Sequence, residues 1–142
     1  MDATTCATDV VIAEHIRSAA AQLRTTHDGR KLRGLQRVLQ RLQYTVEDPS
    51  TQLVCFFLET YIHDVSFNLC ADFEYTETTY RIRCAFLEGV GDVLERVAAR
   101  LESRPLDNHW EDFARLVAEY MRVVQELRAA TRIEAASVRT AG

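Results

Sequence analysis

The chain has 142 residues, enough for one domain that buries about 70% of the surface exposed in its unfolded form. Hydrophobic residues make up 47% and charged residues 27%, as in a globular protein, and the net charge of −4 argues against non-specific nucleic-acid binding. Two prolines and five glycines are few for the turns of a β-sandwich, so the composition favours an all-α, single-domain helical bundle.

The first eight residues are small and polar, and we expect a flexible N-terminus there. Thr8 or Asp9 can cap a first helix. The apolar side of this helix is formed by Ile12, Ile16, Ala19 and Leu23. We predict that Gly29 ends the helix by adopting a left-handed conformation, which glycine reaches at no steric cost.

A second helix is predicted from about residue 30 to residue 46. Its apolar side consists of Leu32, Leu35, Leu39, Leu42 and Val46. Another side carries a row of arginines, which are Arg30, Arg33, Arg37 and Arg41. This row is either a solvated helix face or an edge that could bind the phosphates or carboxylates of a partner.

A third helix is predicted to start at Asp48, because aspartate is a good N-cap and Pro49 is tolerated in the first turn. The run 53–58 is entirely apolar and leaves the helix no polar side. Such a helix is either enclosed by other helices or partly exposed for a partner. The apolar pattern continues to Val65 and then weakens, so residues 66–77 can form a short helix, a loop or both.

Two long amphipathic helices meet at Pro105, and we expect the rest of the bundle to be organised around them. The apolar side of the fourth helix is formed by Ile82, Phe86, Val90, Val93, Val97 and Leu101. Proline ends this helix, and Asn108 with Glu111 can form a capping box for the next one. The apolar side of the fifth helix is formed by Trp110, Phe113, Val117, Tyr120, Val124 and Leu127. Gly89 and Gly91 either allow close approach of another helix or mark a kink.

Beyond Leu127 the apolar pattern fades. We therefore predict a flexible N-terminus at 1–8, a helical bundle domain at 9–130 and a disordered tail at 131–142. The longest uncharged run, 49–58, is about half of the ~20 residues that span a bilayer, and the first residues lack a secretory pattern. We expect no membrane insertion and a location in the cytoplasm, where the cysteines stay reduced.

The sequence lacks the patterns of an active site. It has no glycine-rich phosphate loop and no serine elbow. Cys55, His63 and Cys70 come nearest to a metal cluster, but their spacings of eight and seven differ from the short pairs of zinc sites. Glu111 and Asp112 lie at a helix start, where the helix dipole favours negative charge. We predict that the chain is not an enzyme and has no metal or cofactor.

Two stretches resemble motifs of the Bcl-2 family. Residues 107–113 resemble the second homology motif, in which an acidic residue and an asparagine precede a tryptophan, an acidic residue and an aromatic residue. Residues 81–89 resemble the end of the first homology motif. Its matching positions are Arg81, Ile82, Phe86 and Gly89. The order of the two long helices, with a Trp-Glu start after a short break, is similar to the Bcl-2-like immune modulators of poxviruses.

The chain departs from the family pattern in two places. Thr79 and Tyr80 stand where the first motif has Trp-Gly before its arginine. The separation between Arg81 and Trp110 is also too short for the helix that lies between the two motifs in cellular members. The two stretches therefore cannot both be true homology motifs, and the resemblance is to the poxviral branch.

The resemblance implies a Bcl-2-like bundle of about five to seven helices around a central hydrophobic helix, acting in the host cytoplasm on a signalling or apoptotic protein. In an apoptosis-inhibiting mode, an apolar groove binds an amphipathic helix and an arginine pairs with its aspartate. Arg81 would be that arginine, and the candidate groove walls are Phe56, Phe57, Tyr61 and Phe86. In a mode that inhibits NF-κB signalling, an outer helix surface forms a homodimer or partner face. Its candidate residues are Tyr120, Met121 and Val124.

Two other interpretations stay open. The aromatic residues of the candidate groove can be ordinary core residues, with Arg81 in solvent. The chain can also be a structural helical subunit of a larger assembly, with no groove or signalling role, because the heptad-like spacing from Trp110 to Leu127 permits helix–helix association.

Overall fold

The protein is built from five α-helices, seen in a computed structural model that describes residues 7–71, 76–103 and 109–141. Side chains are described for 9–66, 69, 76–102 and 109–130. The helices are α1 (Ala7–Thr26), α2 (Arg30–Leu42), α3 (Pro49–Ala71), α4 (Glu77–Ser103) and α5 (His109–Ala141). Across these ranges there is no β-strand, so the prediction of an all-α bundle is confirmed.

The helices pack in a ring around a shared core. α4 packs against α1 and α5, α1 also packs against α2, and α2 packs against α3. A smaller contact between α3 and α5 closes the ring. Each helix also has an exposed side, and on α4 this side carries Arg81, Glu88 and Asp92. Enclosing these charges would cost their hydration. No helix in the described residues is therefore enclosed on all sides, and a Bcl-2-like arrangement around a central helix stays a prediction.

The apolar side of α4 is buried as predicted. Its residues Phe86, Val90, Val93, Val97 and Leu101 lie in the core, and Ile82 packs partly buried against it. Gly91 accounts for the close contact with α1. A Cβ atom at this position would lie 3.2 Å from the Ala20 carbonyl oxygen and 3.3 Å from Cγ of Arg24. A Cβ atom at Gly89 would meet nothing within 4 Å, so only Gly91 has the predicted role in helix packing.

Ion pairs align α1 antiparallel to α4. Arg17 pairs with Glu102 at 2.6 Å near one end of the contact, and His27 lies 2.7 Å from Glu88 at the other. Between them, Arg24 contacts two carboxylates, those of Asp92 at 2.8 Å and Glu95 at 2.7 Å. The hydrogen bond from Arg24 holds the pKa of Glu95 below its usual value. These partly solvated pairs fix the register of the two helices more than they stabilise the fold.

The turn after α1 differs from its prediction. His27 has the left-handed φ of 51°, whereas Gly29 has a helical φ of −62°. The N–H of His27 donates to the Leu23 carbonyl at 2.9 Å, and the N–H of Asp28 donates to Oγ1 of Thr26 at 3.2 Å. These bonds complete the helix end at His27, so the expectation for Gly29 is wrong.

The helix starts confirm one prediction and correct another. Asp48 caps α3 as predicted, because its carboxylate accepts from the N–H and the hydroxyl of Thr51, both at 3.1 Å. α1 begins at Ala7, so Asp9 lies buried within its first turn instead of capping it. The proposed cap of α5 at Asn108 lies outside the described residues.

α3 and α5 both extend into segments where the apolar pattern of the sequence is weak. α3 continues to Ala71, so the first part of the segment 66–77 is helical, and 72–75 lie outside the described residues. α5 continues to Ala141, which differs from the disordered tail predicted for 131–142. Glycine and proline are absent between His109 and Ala141, and alanine, arginine and glutamate favour helix.

Candidate partner-binding surface

The core side of α5 is rotated from the predicted one. The buried apolar residues of this helix are Phe113, Leu116, Tyr120, Val123 and Leu127. Trp110 is 66% exposed and Val117 is 38% exposed, so two residues of the predicted apolar side lie outside the core. The two alternatives share Phe113, Tyr120 and Leu127 and have the same helical spacing, so periodicity alone cannot separate them.

The apolar start of α3 is divided between the core and solvent. Val54, Cys55 and Leu58 are buried, whereas Leu53 and Phe56 are exposed. Phe56 is 64% exposed, a large fraction for a phenylalanine beside a packed core. Of the two alternatives for this helix, partial exposure is the one observed.

Aromatic contacts join α3 to α5. The ring of Phe57 stacks on that of Phe113 with centroids 4.1 Å apart, and Trp110 meets Phe113 edge-on at 6.2 Å. Further along, the hydroxyl of Tyr61 donates to the Leu116 carbonyl at 3.2 Å. From one contact to the next, the residue numbers increase along both α3 and α5, so the two helices run parallel.

Exposed apolar side chains lie on both of the helices that form this seam. We call them the α3/α5 surface, and its members are Leu53, Phe56, Trp110, Val117 and Met121. Trp110, Val117 and Met121 are spaced seven and four residues apart and therefore share one side of α5. Leu53 and Phe56 share a side of α3 for the same reason.

The α3 side of this surface has few charges. Glu59 is the only Asp, Glu, Lys or Arg between residues 49 and 63. Its carboxylate accepts from the side chains of Gln36 at 3.3 Å and Gln40 at 2.8 Å, and so is held toward α2. The α3 row is therefore suited to an apolar partner rather than to a highly charged one.

The structure does not assemble the predicted groove. Tyr61 and Phe86 are buried in the core, and Phe57 is half-buried against Phe113. Arg81 lies on the outside of α4, where it donates to Glu77 at 2.6 Å. Phe57 lies level with Phe113, whereas Arg81 lies beyond the level of Tyr120. With a rise of about 1.5 Å per helical residue, Arg81 and Phe57 lie roughly 18 Å apart along the axis of the bundle. Of the predicted groove, only Phe56 is well exposed.

The predicted dimer face is also only partly present. Tyr120 is buried, its ring meets Tyr61 edge-on at 6.0 Å, and its hydroxyl donates to the Asp64 carbonyl at 3.3 Å. Val124 is partly buried against the core. Met121 is 54% exposed and belongs to the α3/α5 surface. Tyr120 therefore holds α3 to α5 and does not face a partner.

A buried carboxylate links α5 to α4. Asp112 accepts a hydrogen bond from Nε of Arg100 at 2.8 Å, and Arg96 lies 3.6 Å from its other oxygen. Only 4% of the Asp112 side chain is exposed. This residue was attributed to the helix dipole alone, and its contacts show that it also fixes the packing of two helices.

Other reactive groups in the described residues are isolated. Burial raises the pKa of the Cys55 thiol to about 11, which keeps it protonated. Burial lowers the pKa of His109, whose two ring nitrogens make no hydrogen bond. Within the described ranges, no three His, Cys, Asp or Glu residues are grouped as a metal site would need. Nor does any described helix combine the length and apolar character needed to cross a membrane.

Comparison with models of protein families, with curated proteins and with solved structures finds no match to this chain. The resemblance to the poxviral Bcl-2-like proteins therefore stays a prediction. A function has to be inferred from the surface that the chain itself presents.

Proposed function

We propose that the chain is a helical interaction module that modulates host signalling by binding an amphipathic helix of a signalling protein on the α3/α5 surface. One observation carries the proposal. The large side chains of Phe56, Trp110 and Met121 are each more than half exposed, on two helices joined by an aromatic contact. Covering such side chains removes apolar area from water and is the main driving force for association.

The dimensions of the surface favour a helix as the partner. From Trp110 to Met121 the row on α5 spans about 16 Å, roughly three helical turns. A bound helix presents apolar anchors at i, i+3 or i+4, and i+7, which span about 10 Å and fit within the length of this row. Two parallel rows, one on α3 and one on α5, can flank those anchors on both sides.

The position of Arg81 favours one of the two activities that the resemblance implies. A groove that binds death-promoting helices needs an arginine beside its apolar walls, and here Arg81 is paired with Glu77 at a distance from Phe56. An outer surface needs no such arginine. We therefore propose inhibition of innate immune signalling toward NF-κB, in the host cytoplasm, ahead of inhibition of apoptosis.

A reporter assay with matched surface variants tests this proposal. Cells carrying an NF-κB reporter are stimulated with and without the chain, and repression by the wild type is expected. Phe56→Glu and Trp110→Glu should each abolish repression, because a carboxylate on the surface must be desolvated on binding. Tyr44→Glu is the control, since Tyr44 is an exposed aromatic residue in the turn after α2 and does not belong to the α3/α5 surface.

The outcomes separate the alternatives. If the wild type does not repress the reporter, the proposed activity is wrong. A folded chain whose mass in solution is that of a dimer, and which becomes monomeric in Trp110→Glu, would show that a second copy occupies the surface. Insolubility of the chain alone would favour a structural subunit. Tight binding of a death-motif helix peptide that is lost in Arg81→Glu would favour the groove.

A further inference from the structure

A cavity of about 500 Å³ opens at the other end of α3 from Phe56. It lies between the turn after α1, the later part of α3 and the first half of α4. This volume is within the range of small-molecule sites in proteins. None of the residues that line it belongs to the α3/α5 surface.

The floor of the cavity is apolar. It is formed by Leu32, Val65, Leu69, Phe86 and Leu87, all of which are buried. Side chains from three different helices meet here, so the floor is part of the packed core. A ligand that fits it must carry an apolar portion.

One polar side chain lies among these residues without a partner. Ser66 is only 6% exposed, and its hydroxyl oxygen makes no hydrogen bond. A buried hydroxyl that lacks a partner destabilises the fold, because it has given up its hydrogen bonds to water. A ligand with a polar group in this cavity would restore that bond.

The charges at the cavity favour an anion. Arg83 and Arg30 both line it, from α4 and from the start of α2. Asp28 is the only carboxylate among the described lining residues, and both of its oxygens accept from Arg30, at 3.1 Å from Nε and 2.9 Å from Nη2. The Asp28–Arg30 pair is neutral as a whole, so Arg83 leaves the described lining with one positive charge in excess, and this favours an anion over a cation.

We infer that this cavity binds a small amphipathic carboxylate, with its alkyl chain on the apolar floor and its head group between the Ser66 hydroxyl and the Arg83 guanidinium. This activity is separate from the proposed function, because the two sites share no residue. The ligand would link the three helices that form the cavity and stabilise the fold when bound.

A series of three ligands with one alkyl chain tests the inference. Decanoate, 1-decanol and decylamine are titrated into the full chain by calorimetry, below the concentrations at which they form micelles or separate from water. Saturable binding of decanoate at one site is expected, with decanol about tenfold or more weaker and decylamine weakest. Bound decanoate should also slow alkylation of Cys84, a partly buried thiol in the cavity wall, as followed by peptide mass analysis.

Matched variants locate the head group. Arg83→Gln should weaken decanoate binding about tenfold and leave decanol within about twofold, because only the charged head loses its partner. Arg33→Gln is the control, since it removes the same charge from the exposed side of α2, outside the cavity. Ser66→Ala should weaken both ligands. It removes an unpaired hydroxyl, so it tests the site even if Arg83→Gln fails to fold.

Several results would overturn the inference. These are no saturable binding of any of the three ligands, tighter binding of decylamine than of decanoate, and equal losses in Arg83→Gln and Arg33→Gln. Trp110→Glu should bind decanoate like the wild type. Loss of binding in that folded variant would place the ligand on the α3/α5 surface and would also contradict the inference.

Discussion

The close contact between α1 and α4 predicts that the same substitution has different effects on stability at two glycines of α4. Both Gly89 and Gly91 lie within α4, and in a helix interior glycine costs roughly 0.5–1 kcal/mol relative to alanine. Gly89→Ala adds a methyl group that meets nothing within 4 Å. We therefore expect this variant to raise the free energy of unfolding by about 0.5–1 kcal/mol.

The same substitution at Gly91 has an opposing effect. Its new Cβ atom would lie 3.2 Å from the Ala20 carbonyl oxygen, which belongs to the backbone of α1 and cannot rotate away. Arg24, the other close neighbour, is held by Asp92 and Glu95. Overpacking of this kind costs about 1–3 kcal/mol. We expect Gly91→Ala to be less stable than Gly89→Ala by at least about 1 kcal/mol.

Urea unfolding of the two variants, followed by circular dichroism, measures this difference. The dependence of the free energy on urea should be unchanged, so that the midpoints report stability directly. Gly91→Leu should be less stable again, because a larger side chain separates α1 from α4. Equal stabilisation by alanine at both positions would refute the close approach of α1 at Gly91.

The remaining predictions concern buried polar groups and thiols. Asp112→Asn should lower the free energy of unfolding by about 1–3 kcal/mol, because two arginines of α4 lose a buried carboxylate. The control Glu111→Gln, on the exposed side of α5, should change the free energy of unfolding by less than about 0.5 kcal/mol, and equal urea midpoints of the two variants would contradict the prediction. Because burial lowers the pKa of His109, the unfolded state binds a proton more readily than the folded state, so the free energy of unfolding should fall as the pH is lowered through about 6.5 and below. His109→Phe should make that fall smaller, and the same dependence of stability on pH in both proteins between pH 5 and 7.5 would argue against it. In the native chain at pH 8, alkylation should modify Cys84 before Cys55, whose pKa is raised to about 11; rapid labelling of Cys55 without unfolding would be inconsistent with its burial.

The elements with clear sequence signals were predicted well. Asp48 and Pro49 mark the start of α3, because a capping carboxylate and a residue without an N–H both suit a first turn. The apolar residues of α4 recur with one helical period, and only one face can bury them all. These features depend on neighbouring residues alone, so the sequence is sufficient to predict them.

The features that were predicted wrongly depend on tertiary contacts. Two apolar rows on α5 share Phe113 and Tyr120, and the packing of α3 and α4 decides that Trp110 stays outside. The choice of His27 over Gly29 for the left-handed residue follows from where α1 makes its last hydrogen bonds. The separation of Arg81 from Phe57 also depends on tertiary structure, since it is set by the order of the helices in the ring.

The exposed half of the apolar run in α3 was the most useful functional signal. A helix that is apolar on all sides is either enclosed by other helices or partly exposed, and the second alternative is the one observed. Phe56, which was predicted to bind a partner, is exposed, and its binding role stays a prediction. Leu53, Val117 and Trp110 were not assigned to a surface, because each also fits a core pattern.

The pairing of α1 with α4 has a consequence for synthesis. The ion pair of Arg17 with Glu102 joins residues 85 positions apart. A nascent chain therefore cannot bury the apolar stripe that α1 packs against α4 until α4 has emerged from the ribosome. During that interval the stripe is open to chaperones and to other nascent chains, and fragments that stop after α3 would be prone to aggregate.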